Sequence, residues 1–75
     1  MKKLNIPMFK CAVFFYAPSE MLEFERDYNM NVLDSDGVQS GNGAWVKEKN
    51  VGYIAHECAH LCDWLLHDRL EMGAV

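Results

Sequence analysis

Two prolines, three cysteines and few basic residues in 75 positions narrow the possibilities for this chain. No stretch of about 18 apolar residues occurs, so no segment is expected to span a bilayer. Three cysteines, Cys11, Cys58 and Cys62, is an odd count, and the last two fall four apart in one helical segment. A disulfide framework is therefore not expected; reduced thiols in a cytoplasm are. Lys and Arg number 7 against 11 Asp and Glu, a formal net charge of −4. That balance leaves no basic stripe for a nucleic-acid backbone and no polybasic patch for a membrane surface. Met1-Lys2-Lys3 followed by Cys11–Ala17 has the outline of a signal peptide. Lys10 interrupts its apolar run, however, and a proline directly after Ala17 makes a poor cleavage site, so secretion is not expected.

What remains is 51% hydrophobic and 24% charged, the composition of a globular domain. Residues 1–75 read as a single small domain with no repeat and no linker. A core of this size contributes only about 3–5 kcal/mol unaided, so a metal, a partner or self-association as a homodimer would help.

Residues 8–16 are dense in β-formers and predict a largely buried strand. Ala17-Pro18-Ser19-Glu20 ends it, and Ser19 is placed to cap a helix with Glu20 and Glu23 in its first turn. Met21, Leu22, Phe24 and Tyr28 give that helix an apolar stripe, ending near residues 29–31. Val32 and Leu33 predict a short edge strand. Residues 34–43 hold three glycines among Asn, Ser and Asp and read as a solvated hairpin loop. The Asp-x-Asp-Gly opening is not a calcium loop: with Gly37 at the sixth position, Val32 falls at the first and no acid at the twelfth. Ala44–Lys49 alternates as a second strand, placed at a sheet edge. Asn50-Val51-Gly52 turns the chain, and a long helix is expected from Ile54 to about Glu71, stopped by Gly73.

That last helix carries His56-Glu57-Cys58-Ala59-His60, an H-E-x-x-H pattern. Residues i and i+4 stack on one helix face about 6 Å apart along the axis. Two imidazoles so placed can chelate a tetrahedral zinc, while Glu57 lies too far round to be a routine third ligand. Glu57 is instead positioned to take a proton from water at the ion. On a helical wheel His56, His60 and His67 fall within about 40° of one another, and Ala55, Cys58, Ala59, Cys62, Leu65 and Leu66 lie roughly opposite. The apolar face is expected in the core, with the histidines toward a groove or solvent. A bare match of this kind also arises by chance in unrelated proteins, as histidine on a polar helix face is ordinary.

A third ligand is not evident. His67 lies about 10 Å along the axis from His60. Asp63 can accept a hydrogen bond from His60, or be a surface acid with no role. Glu71 could approach only if the terminus folds back, and a symmetric partner could supply a ligand in trans. Cys58 and Cys62 read as small buried thiols, with Cys11 near them. Trp64 flanks the histidine face, as the wall of a groove or as a packing residue.

Tyr53–Trp64 resembles the active-site helix of zincin metallopeptidases. It is most similar to the small zincin-like proteins of tailed bacteriophages, whose first strand Phe9–Tyr16 also resembles. The resemblance implies a sheet with a helix in front, zinc as cofactor, His56 and His60 as ligands and Glu57 as base. In that family a further helix brings an acidic third ligand; this sequence runs only to Val75, so that segment is either missing or lost.

The expected fold is therefore small α+β: a short antiparallel sheet of two or three strands and two helices, the second bearing the H-E-x-x-H residues. The expected function is that of a zinc-binding, zincin-like protein that hydrolyses peptides laid along Ala44–Lys49. The alternative is a non-catalytic phage accessory protein that binds and inhibits a host or defence protein in the host cytoplasm.

Overall fold

A computed structural model describes residues 1–70 of the chain. The sheet has four strands: β1 (Lys2–Ile6), β2 (Cys11–Tyr16), β3 (Gly37–Ser40) and β4 (Gly43–Val46). Two helices accompany it, α1 (Met21–Tyr28) and α2 (Val51–Trp64). The α+β class expected from sequence holds, but the sheet is mixed rather than antiparallel. Its order is β1-β2-β4-β3, with β2 and β4 parallel and both outer pairs antiparallel. β4 is thus central and buried along its whole length, not the edge that its alternation implied. The edge on that side is β3, which lies inside the segment expected to be loop.

β1 pairs Leu4 with Val13 and Ile6 with Cys11. It is mostly exposed and carries Lys2 and Lys3, as edge strands often do. Pro7–Phe9 forms a single 3-10 turn, so β2 begins at Cys11 rather than at Met8. Between β3 and β4 the turn is Gly41-Asn42, where Gly41 takes φ +53°, a conformation that costs glycine nothing sterically. Asn42 then fastens the hairpin to β2: its amide donates to the Ala12 carbonyl at 3.1 Å, and its own carbonyl accepts the Phe14 N–H at 2.8 Å.

α1 is preceded by a 3-10 turn, Pro18–Glu20. The group that closes this start is Glu20, whose carboxylate accepts the Ala17 N–H at 2.8 Å; Ser19 makes no cap bond. Asn29, in the left-handed region at φ 51°, ends α1 where expected. Val32 is buried but lies in irregular chain, not in a strand, and is held by the Glu25 carboxylate accepting its N–H at 3.0 Å.

The two helices cover opposite faces of the sheet. On the α1 face Tyr16 and Trp45 pack with Phe24 and Val32. On the α2 face Val13 and Ala44 pack with Leu61 and Leu65, joined by Cys11 and Trp64. Trp64 is therefore a packing residue. α2 starts earlier than expected: Asn50 caps it, its side-chain carbonyl accepting the N–H groups of Gly52 at 2.8 Å and Tyr53 at 3.3 Å. From Leu65 to Leu70 it continues as a wider π-helical turn. No helix among the described residues is long and apolar enough to cross a membrane.

Candidate functional site

α2 is not oriented as hydrophobicity alone dictates. Its buried side chains are Glu57 and Leu61, followed by Leu65. Ala55, Ala59 and Cys62 are exposed and Cys58 is half-buried, so the small-residue face expected in the core points outward instead. The reason is the large side chains: Leu61, Trp64 and Leu65 bury far more apolar area than alanines and thiols, and they set the helix rotation. Burial pushes the Cys58 thiol up from its ordinary value, with the neighbouring Cys62 thiol adding to the effect.

This rotation places His56 and His60 in the open and Glu57 inside. The two imidazoles converge, with their Nε2 atoms 3.1 Å apart and their ring planes nearly perpendicular at 84°. Two nitrogens on one tetrahedral zinc at 2.0–2.1 Å would be about 3.3 Å apart, so the pair is close to a bidentate bite without rearrangement. Neutral imidazoles can also share a proton at this distance, one ring donating and the other accepting.

Glu57 is only 3% exposed and packs against the edge of the sheet. The contact is with Gly37, the first residue of β3: a Cβ there would lie 2.8 Å from Glu57 Oε2 and 3.1 Å from its Cγ. The bare backbone of Gly37 makes room for the carboxylate. Glu57 Oε1 is buried and has no hydrogen-bond partner among the described residues. An unpaired buried carboxylate oxygen costs roughly 1–3 kcal/mol or more, which a purely structural position would have little reason to carry.

His56, Glu57 and His60 share a groove of about 550 Å³ with Gly37 and Gln39 of β3 and with Tyr53. Asp36 stands at its rim, where Lys47 approaches it at 3.3 Å. The groove thus runs between one face of α2 and the β3 edge. Sequence reasoning missed both Gly37 and Tyr53. Gly37 was hidden in a glycine-rich segment read as turn, and Tyr53, three before His56, could have been found on the wheel.

The remaining candidates fall elsewhere. Asp63 pairs with His67 at 3.2 Å, not with His60, so it does not orient a ligating ring. His67 is accordingly a partner of Asp63, about two turns beyond His60. Glu71 lies outside the described residues. Among the described residues no group of three His, Cys, Asp or Glu side chains converges as a ligand set. No family model, no curated protein and no solved structure matches this chain.

Proposed function

We propose that this protein binds zinc through His56 and His60 and hydrolyses peptides with Glu57 as general base, as a minimal zincin-like enzyme. One observation carries the reading: Glu57, which has a buried carboxylate oxygen without a partner among the described residues, lines the same groove as two imidazoles whose Nε2 atoms are 3.1 Å apart. Zinc held there supplies Lewis acidity toward a carbonyl oxygen and toward water. Glu57 takes the proton from the attacking water as the oxygen–carbon bond forms. It hands that proton to the amine nitrogen as the carbon–nitrogen bond breaks, which balances the step. The substrate backbone lies along β3, since β4 is internal and has no free edge. Gly37, at the start of that edge, keeps the carboxylate in reach of a bound carbonyl.

The test is a metal count followed by two substitutions. One zinc per chain is expected, lost in His60→Ala. Glu57→Gln is expected to keep the metal and lose hydrolysis of an unstructured peptide library by at least a hundredfold. Zinc retained in His60→Ala would overturn the ligand assignment, and hydrolysis retained in Glu57→Gln would overturn the base.

The lack of a third converging ligand among the described residues favours a second reading, a non-catalytic accessory protein that binds and inhibits a host or defence protein. Zinc-free protein that captures such a partner, with no hydrolysis, would support it over the first.

A further inference from the structure

α2 is flanked by two grooves, and the second has a different chemistry. It opens on the β1–β2 side, where the parallel strands β2 and β4 end at Tyr16 and Val46, and encloses about 630 Å³. Phe15 and Val46 of the sheet and Ile54 of α2 form an apolar floor, and Pro18 closes one side. The rim holds Lys2, Lys49 and one carboxylate, Glu20.

Those three rim charges are not equivalent. Glu20 is already engaged, accepting the Ala17 N–H at 2.8 Å and contacting the amino terminus. Its carboxyl is held below the usual range, chiefly by the hydrogen bond from the terminal ammonium and then by Ala17. Lys2 and Lys49 are exposed, and their ammonium groups make no hydrogen bond or ion pair among the described residues. A chain of net charge −4 thus presents two free ammonium groups above an apolar floor, with the one nearby carboxylate already neutralised.

We propose that this groove binds a small monoanionic amphiphile, a carboxylate on an apolar chain of the medium-chain fatty-acid type. The tail lies on Phe15, Val46 and Ile54, and the carboxylate is met by Lys2 and Lys49. The volume falls in the range of small-molecule sites, and an apolar lining with a few polar groups is their usual make-up. Charge selects the head group: a cationic amphiphile would face two ammonium groups with no free acid. Ile54, 37% exposed on a helix surface, would be covered by the tail. The proposal does not depend on the zinc reading, because none of these residues belongs to the His56–His60 groove.

The test is a titration with decanoate below its micelle concentration, in chelator and on the His60→Ala background. It is followed by amide chemical shifts and calorimetry, with decylamine as the cationic control. Saturable one-to-one binding is expected, with shifts centred on Phe15, Val46 and Ile54 and decylamine at least tenfold weaker. Lys2→Glu with Lys49→Glu is expected to weaken decanoate at least tenfold and to reverse the preference toward decylamine. Ile54→Gln, at a partly exposed position, is expected to weaken both amphiphiles about threefold without lowering the melting temperature. Absence of saturation, equal binding of the two amphiphiles, undiminished decanoate binding by the charge-reversed protein, or shifts centred on α2 beyond Glu57 would each overturn the proposal.

Discussion

On the α1 side of the sheet the polar groups near the core are paired. Tyr16 donates to Asp27 at 2.7 Å, Tyr28 to Asn42 at 2.8 Å, and the Trp45 indole N–H to the Pro18 carbonyl at 3.4 Å. The rings of Tyr16, Phe24 and Tyr28 pack with centroids 4.9–6.0 Å apart. On the α2 side the fully buried hydrophobic residues are aliphatic, with Phe9, Phe15 and Trp64 packed around them, and Glu57 Oε1 is the one buried side-chain polar atom left unpaired among the described residues. The two faces divide the labour. The α1 face pairs its polar groups, and the α2 face accepts a local energetic cost at the place where the candidate chemistry sits, as functional sites commonly do.

The largest expected effect would come from truncating the better-built face. Phe24, 0% exposed, should cost about 3–5 kcal/mol on replacement by alanine, comparable to all the stability that a domain of this size has. Phe24→Ala is therefore expected to be unfolded at 25 °C by circular dichroism. Leu61→Ala, on the other face, should cost less and stay folded. Equal loss from both would remove the asymmetry.

Next in size, and opposite in sign, is Glu57→Met. Replacing an unpaired buried carboxylate by an apolar chain of similar length should raise stability by about 1–3 kcal/mol. The urea midpoint would rise with unchanged slope, while any hydrolysis is lost. A fall in stability would mean that Glu57 is satisfied after all and that the two faces are alike.

The smallest effect concerns pH. Burial, and then the hydrogen bond to Asp27, raise the Tyr16 phenol well above its ordinary value. Burial raises Tyr28 too. A group whose pKa is higher folded than unfolded stabilises the fold fully below its unfolded pKa, here about 10, and that contribution is lost as pH rises through the folded value. Stability should thus decline above about pH 10. Tyr16→Phe should flatten that decline at the expense of about 0.5–1.5 kcal/mol at neutral pH for the lost hydrogen bond. An unchanged alkaline limb would show that Tyr16 is not the titrating group.

The helices were the legible part of this sequence. Asn29 and the apolar spacing of Met21, Phe24 and Tyr28 delimit α1, and the His56–His60 segment falls in a helix as its pattern required. The sheet was legible at β2 and β4, although β4 was expected at an edge and lies inside. β1 hides because Leu4 and Ile6 are its only apolar residues, too short an alternation beside Lys2, Lys3 and Asn5 to reveal an exposed edge. β3 hides because Gly37 and Ser40 look like turn residues, although the ladder to β4 holds them extended. The mistaken rotation of α2 has a more general cause. A wheel counts small apolar residues equally with large ones, whereas Leu61, Trp64 and Leu65 set the rotation and carry Glu57 inward with them. The candidate edge moves from Ala44–Lys49 to Gly37–Ser40 for another reason: β3, read as loop, pairs outside β4.

The parallel join at the centre of the sheet has a kinetic consequence. Phe14 meets Gly43 and Tyr16 meets Trp45 only after α1 and the whole β3–β4 hairpin have been threaded between them. The hairpin can zip from local contacts, but the centre closes a long loop before any contact rewards it. Such a chain collapses slowly for its length. While it does, the extended segments around Phe14 and Trp45 stay open to neighbouring molecules, so crowding during synthesis would test this domain more severely than heat does once it has closed.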